Sequence, residues 1–190
     1  MSKGRLEAFS DGVIAILITI MVLELKVPHG KDWDALGQVV PVFLTYALSF
    51  VLLGIYWTNH HHMLHATARI NGAILWANLH LLFWLSLVPF VTGWMGETDL
   101  ARVPTAVYGI VLLLAAFAWQ ILQRAITSDR ANSKLAAAMG KDLKGNLSAA
   151  IYVVAVVMAL IRPWIAAALY VLVALMWLVP DRRIESKADQ

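Results

Sequence analysis

Three charged residues, Arg5, Glu7 and Asp11, lie at the start of an apolar stretch long enough to cross a membrane. A charge at membrane depth is costly unless it is paired or faces a polar cavity. The three charges therefore indicate either contacts that hold helices together or a route through the membrane.

The histidines are the second group that could do chemistry. His60, His61, His62 and His65 form one cluster, and His80 lies in the next apolar stretch. Because His61 and His65 are four residues apart, both would lie on one side of a helix and could bind a metal. Few carboxylates accompany the cluster, so a membrane di-iron enzyme is disfavoured, and we expect no catalytic residues and no metal. We interpret the cluster as interfacial or hydrogen-bonding side chains, with modulation by protons left open.

The composition is that of a membrane protein. Of the 190 residues, 61% are apolar and 14% are charged, whereas soluble domains carry about 25% charged residues. Cysteine is absent, which excludes disulfides and thiolate metal sites. The net charge of +3 requires no nucleic-acid partner.

Six apolar stretches are each near the ~20 residues that a membrane-spanning helix needs. They cover about 8–27, 38–58, 72–95, 103–123, 147–162 and 164–180. We therefore predict an all-α integral membrane protein in which residues 1–190 form a single six-helix domain in the lipid bilayer.

The distribution of basic residues predicts the orientation. With the N-terminus inside, all but four of the 15 Lys and Arg residues lie on the inner side, the exceptions being Lys26, Lys31, Arg102 and Arg162. An excess of basic residues marks cytoplasmic segments. Both termini and the loop 124–146, which has helical character, are thus predicted to be cytoplasmic. No organelle signal is evident, so we expect a multi-pass protein of the cell membrane.

A stripe of residues runs along the first predicted span. On a helical wheel, Ile16, Thr19, Ile20 and Leu23 fall within about 100°, and Asp11 points away from them. Periodicity favours a contact between helices of one chain. Alternatively, several copies meet around an axis, where apolar rings gate by expelling water and the threonine oxygens replace part of a cation's hydration shell.

A short motif in the same span identifies a family. Arg5-x-x-x-Phe9-Ser10-Asp11, running into the stripe, resembles the signature of the transmembrane protein 175 family of potassium channels. The segments WTNHHHMLHA (57–66) and NGAILWANLHLLFWLSLVPFVT (71–92) also resemble the second and third spans of that family. The resemblance covers roughly residues 4–95.

The resemblance implies a homotetramer of six-helix subunits around a pore lined by the first helix. Ile16 matches the principal hydrophobic gate, Ile20 and Leu23 match further apolar pore positions, and Thr19 matches a threonine implicated in potassium preference. The sequence lacks the Thr-Val-Gly-Tyr-Gly filter of other potassium channels. The implied function is a cation channel that weakly prefers potassium over sodium, passes other monovalent cations and needs no cofactor.

The remaining motif residues are expected to be structural. Polar groups at membrane depth need partners, and span three and the His60–His65 cluster offer them. We predict a buried network that ties span one to spans two and three and fixes the direction of the pore stripe. Its expected members are Arg5, Phe9, Ser10, Asp11, Asn78 and His80.

A secondary transporter or a proton-conducting permease of the plasma membrane is the alternative function. The transporter is disfavoured because the sequence has no inverted repeat, a feature common among such proteins. Proton conduction through the same pore stays open.

Overall fold

The computed structural model describes residues 2–133 and 142–178, and within these ranges the regular structure is entirely helical. The prediction of an all-α chain is thus confirmed. The α-helices are α1 (Lys3–Ile20), α2 (Trp33–Gly37), α3 (Val40–Ala66), α4 (Gly72–Ser86), α5 (Val88–Glu97), α6 (Arg102–Thr127), α7 (Leu143–Ile161) and α8 (Pro163–Leu178). Two 3-10 turns cover Met21–Glu24 and Arg130–Asn132.

Five stretches are long and apolar enough to cross a membrane. They are α1 with its 3-10 turn, α3, α4 together with α5, α6 and α7. The described part of α8 has 16 residues, about 24 Å at 1.5 Å per residue, and it ends at the last described residue. Within the described residues, five of the six predicted spans have the required length.

The ends of the first and third spans differ from their predicted bounds. The first span was expected over 8–27, but its α-helix ends at Ile20 and the 3-10 turn ends at Glu24. Pro28 disfavours a helical conformation at the residue before it, so the helix cannot continue through this point. The third span is two helices joined at Leu87, because the ring of Pro89 interrupts the helical hydrogen bonds there.

The predicted cytoplasmic loop, 124–146, is also partly helical. Helix α6 extends to Thr127 and α7 begins at Leu143. The interval between them contains the second 3-10 turn, and residues 134–141, where a surface helix was expected, lie outside the described residues.

Helix α6 is the centre of the bundle. It packs against α4, α5, α7 and α8. A Cβ added at Gly109 would overlap the Tyr170 hydroxyl on α8, so this tyrosine can lie against the α6 backbone only because residue 109 is glycine. The same hydroxyl donates to the Thr105 carbonyl oxygen at 3.0 Å.

A buried chain of hydroxyl groups joins α3, α5 and α6. Thr92 donates to the Val88 carbonyl oxygen at 2.7 Å, so its oxygen accepts from Ser49 at 2.7 Å. The Ser49 oxygen in turn accepts from the Tyr108 hydroxyl at 2.9 Å. These bonds satisfy polar groups that would otherwise destabilise a helix at membrane depth.

Candidate pore helix and its polar anchor

Helix α1 has one face packed against the bundle. The buried residues recur at intervals of three or four, as expected for a helix that covers a neighbour with one side. They are Leu6, Ser10, Ile14, Leu17 and, in the 3-10 turn, Met21. Their neighbours are α3, α4 and α5. The apolar part of this face positions the helix.

The predicted pore stripe lies on the opposite, uncovered face. Ile16 is 57% exposed, Ile20 is 40% exposed and Leu23 is 78% exposed, and Thr19 is also exposed. Within the described ranges, 2–133 and 142–178, no helix of the chain covers these side chains. Of the two interpretations of the stripe, a contact inside one chain is therefore not the arrangement in the structure.

The Thr19 hydroxyl is oriented by its own helix. Its oxygen lies 3.0 Å from the carbonyl oxygens of both Ala15 and Ile16, so its proton is directed to the backbone. A hydroxyl that donates its proton keeps two oxygen lone pairs as acceptors. This side chain can therefore present an oxygen, rather than a proton, to a cation on the exposed face.

A chain of three buried side chains anchors the packed face. Asn78 on α4 donates from Nδ2 to the Ser10 hydroxyl oxygen at 2.9 Å. Its Oδ1 lies 2.6 Å from His60 Nε2 on α3 and accepts a hydrogen bond from it. All three residues are buried. The amide of Asn78 thus connects α1 to α3 and sets how α1 is rotated.

Two of the motif residues expected in this network lie elsewhere. Arg5 is exposed and, among the residues that the structure describes, makes no hydrogen bond or ion pair; Phe9 is 47% exposed. Arg5 is five residues from Ser10, which turns it about 140° away from the anchored side.

His80 is also outside the network, contrary to the prediction. Its Nε2 accepts from Trp84 Nε1 at 2.9 Å within α4. His80 and Asn78 are two residues apart, so they point about 200° apart on the helix. The buried network in the structure therefore consists of Ser10 and Asn78 from the predicted members together with His60.

Asp11 has a separate contact with α3. Its Oδ1 accepts from Trp57 Nε1 at 3.0 Å. The residue faces away from the pore stripe and toward the second span, as the helical wheel indicated. The bond of Asp11 to Trp57 and the Ser10–Asn78–His60 network therefore hold neighbouring sides of α1.

The edge of α1 that carries Asp11 runs antiparallel to α3. Two contacts set the register: Asp11 with Trp57, and Lys3 Nζ, which donates to the His65 carbonyl oxygen. Glu7 lies midway on α1 and therefore level with His61. Its Oε1 is buried, has no hydrogen bond among the described residues and lies 4.0 Å from Lys3 Nζ.

The far end of the first span is tied to α5. Lys26 Nζ lies 2.5 Å from Glu97 Oε1. The hydrogen bond to Glu97, together with its charge, raises the pKa of Lys26. Both side chains are solvent-exposed, so the pair orients the chain after the 3-10 turn more than it stabilises the fold.

Comparison with known proteins identifies the family. The model of the family described as "Endosomal/lysosomal potassium channel TMEM175" matches residues 5–89. A protein of Chryseobacterium sp. (strain P1-3) described as a potassium channel is 53% identical over 191 residues, which cover all of both chains. The chain belongs to the TMEM175 family. The resemblance carried by the Arg5-to-Asp11 motif is thereby confirmed.

Two further TMEM175 proteins extend the comparison. The crystal structure of a lysosomal potassium-selective channel TMEM175 homolog from Chamaesiphon minutus has a TM-score of 0.76 and 30% sequence identity, over 93% of this chain and 96% of that one. The endosomal/lysosomal proton channel TMEM175 of Gallus gallus is 35% identical over 112 residues, 51% of this chain and 22% of that protein. The helical arrangement is therefore that of a TMEM175 channel.

Proposed function

We propose that the protein is a weakly potassium-selective cation channel whose pore is lined by α1 from four copies of the chain. One observation carries the proposal: a helix with a buried, anchored face presents Ile16, Thr19, Ile20 and Leu23 on a face that no helix of the described chain covers. A relative that matches over its whole length is described as a potassium channel.

The chemistry of the exposed face supports a hydrophobic gate. Rings of Ile16, Ile20 and Leu23 around a common axis would form a narrow apolar neck, and such a neck stops ions by expelling water. Thr19 lies between the isoleucine rings and supplies neutral oxygens. The three gate residues and Thr19 carry no fixed charge. The preference for potassium over sodium therefore depends on the width of the pore and on the threonine oxygens, and it is modest.

Closed symmetry supports the assembly. Identical helices that meet around a pore form a ring in which each subunit uses two different surfaces. The membrane placement follows the basic residues, with both termini cytoplasmic, in the cell membrane. In this arrangement α8 is the sixth span, and the permeant cations are the only ions that the pore requires.

The decisive experiment measures reversal potentials in liposomes under a potassium/sodium gradient. Wild type should prefer potassium, Ile16→Asn should increase the current because it makes the neck polar, and Thr19→Ala should reduce the preference. Ile121→Asn is the matched control: Ile121 is 45% exposed on α6, away from α1. Equal currents in both Asn variants and wild type would contradict a gate at Ile16.

Proton permeation is the alternative that the same preparation tests. The Gallus gallus relative is described as a proton channel. A reversal potential that follows the proton gradient, with no response to the potassium gradient, would support that alternative. A secondary transporter would show no sustained current and no effect of Ile16→Asn.

A further inference from the structure

An aromatic column runs along the last two turns of α3. Trp57, His61 and His65 are spaced by four residues, and the centroids of successive rings lie 6.1 Å apart in both pairs. The two imidazole rings are nearly parallel, with 15° between their planes. Both histidines are exposed, so they present neighbouring imidazoles to the surroundings rather than to the core.

The opposite side of the same turns is fixed in the bundle. Met63 and Leu64 are buried in the core, and His60 is bonded to Asn78. The backbone that carries His61 and His65 is therefore rigid, and only their side-chain torsions are free. A rigid backbone with two histidines at i and i+4 is the arrangement that helical zinc sites use.

The column is placed where aqueous ions reach it. Helix α3 has 27 residues, which correspond to about 40 Å, whereas the hydrocarbon core is about 30 Å thick. One end of α3 must therefore extend beyond the hydrocarbon. Polar residues accumulate at the end that contains His61, His62 and His65, so this end is the one in the interfacial water.

Helix α1 brings a carboxylate to the same level. In the antiparallel register of the two helices, Glu7 lies opposite His61. The Glu7 Oε1 atom is buried without a hydrogen bond among the described residues. The atom pairs with the Lys3 ammonium at 4.0 Å, which is beyond hydrogen-bond distance, so the carboxylate keeps lone pairs that a cation shared with the histidines can use.

We propose that His61 and His65 bind a borderline-soft divalent cation of the Zn²⁺ class, with Glu7 as the third ligand. Imidazole and carboxylate are zinc ligands, whereas K⁺ and Mg²⁺ have no preference for imidazole. Within the described residues no three such groups converge, so the proposed site requires rotation of these side chains, with water in the remaining position.

The site would join two helices of the bundle. His61 and His65 are on α3, and Glu7 is on α1. A bound cation would therefore restrain α1 relative to α3. The effect of this restraint on current rests on the proposed channel function, whereas cation binding does not.

Binding is tested by titrating Zn²⁺ into purified, untagged protein at about pH 7.5, because protons compete with metal ions for imidazole at lower pH. Wild type should bind one Zn²⁺ per chain. His61→Ala and His65→Ala should each lower the affinity at least about tenfold, since even the loss of an outer-shell partner costs about 10–100-fold. The matched control is His62→Ala, in the same cluster, whose ring meets that of His61 edge-on. Mg²⁺ is the control ion.

Equal affinity in wild type, His61→Ala and His65→Ala would overturn the site, as would an effect of His62→Ala as large as theirs. Size-exclusion profiles show whether each variant stays folded. Glu7→Gln, which keeps the shape of the side chain, should weaken binding, and an unchanged affinity would remove Glu7 from the ligand set.

The effect on α1 is tested by adding Zn²⁺ to channel-containing liposomes. Potassium current should fall in wild type and in His62→Ala but not in His61→Ala. If Zn²⁺ binds as expected and the current is unaffected, restraint of α1 is overturned while the site stands. If wild type passes no current at all, the channel function fails and the binding titration still decides the site.

Discussion

Helices α1 and α6 are both strongly apolar, yet the chain buries them to very different extents. In the most apolar 18 residues of the first span 28% of the residues are buried, whereas in the most apolar 18 residues of α6 61% are buried. The apolar character of a span shows that it can enter the membrane, but it does not show whether each side meets lipid, protein or a pore. The unburied side of α1 must be covered by something other than the described helices of its own chain, and α3, at 22% buried, also has a large unburied side.

The two helices are also held by different forces. Helix α6 is held by close packing, with small residues such as Ala115, Ala118 and Gly109 facing its neighbours. Helix α1 is held by the apolar residues of its packed face and, in addition, by a few directional bonds, those of Ser10 and Asp11 among them. Removing a hydrogen-bonding group should therefore damage the placement of α1, and adding volume should damage α6.

The largest effect should come from Asn78→Leu. The substitution keeps a similar volume but leaves both Ser10 and His60 buried without their partner, and each buried unsatisfied group costs about 1–3 kcal/mol. Unfolding of the purified protein should show the loss. The control on the same helix is His80→Leu, which is exposed and should change stability little. Equal stabilities of the two variants would show that directional bonds do not hold α1.

Gly109→Ala should have the next largest effect. Its Cβ would overlap the Tyr170 hydroxyl, and overpacking of a core typically costs about 1–3 kcal/mol. Gly12→Ala on α1 is the matched control, because its Cβ would meet nothing within 4 Å. The double variant Gly109→Ala/Tyr170→Phe, which removes the overlapping oxygen, should recover part of the loss. A stable Gly109→Ala protein would contradict the close approach of α6 and α8.

A smaller effect is expected from Trp57→Phe. It removes the Nε1 donor to Asp11, and one hydrogen bond contributes about 0.5–1.5 kcal/mol. Trp76→Phe is the control, since Trp76 is exposed on α4 and has no hydrogen bond in the described part of the chain. Thermal denaturation should separate the two variants. A loss of equal size in both would mean that ring volume, not the bond to Asp11, is what matters.

Lys26→Met should have the smallest effect, because both members of the ion pair with Glu97 are exposed. The pKa of Lys26 is raised in the folded protein. The ion pair therefore contributes fully to stability below pH 10.5, the ordinary pKa of lysine, and this contribution is lost as the pH rises through the folded-state pKa. The difference in melting temperature between variant and wild type should thus be constant from about pH 6 to 9 and disappear at higher pH or in about 1 M salt. A difference that persists in high salt would indicate a contact other than charge.

Much of α1 could be predicted from the sequence because helical geometry determines its faces. The wheel separated Ile16 from Asp11, and the scarcity of polar groups in span three singled out Asn78. The same argument placed His80 in the network wrongly. Residue type does not say which way a side chain points, and residues two apart on a helix face nearly opposite sides. The role of each pore residue stays a prediction, because it depends on neighbours from other copies.

The breaks in the spans were less predictable than the spans themselves. A single proline divides the third span at Leu87, while the hydropathy of the segment stays high on both sides. The 3-10 turn after Ile20 was missed for a similar reason: apolar residues continue to Leu23, and only the backbone changes its path.

The break at Leu87 has a mechanical consequence. The half of the third span before it, α4, holds the first helix near its beginning through Asn78, and the half after it, α5, holds the end of the first span through Glu97. The two ends of the first span therefore contact two different helices, α4 and α5, which meet at Leu87. A change of angle at Leu87 would therefore move the contact partners of the two ends of the first span relative to each other.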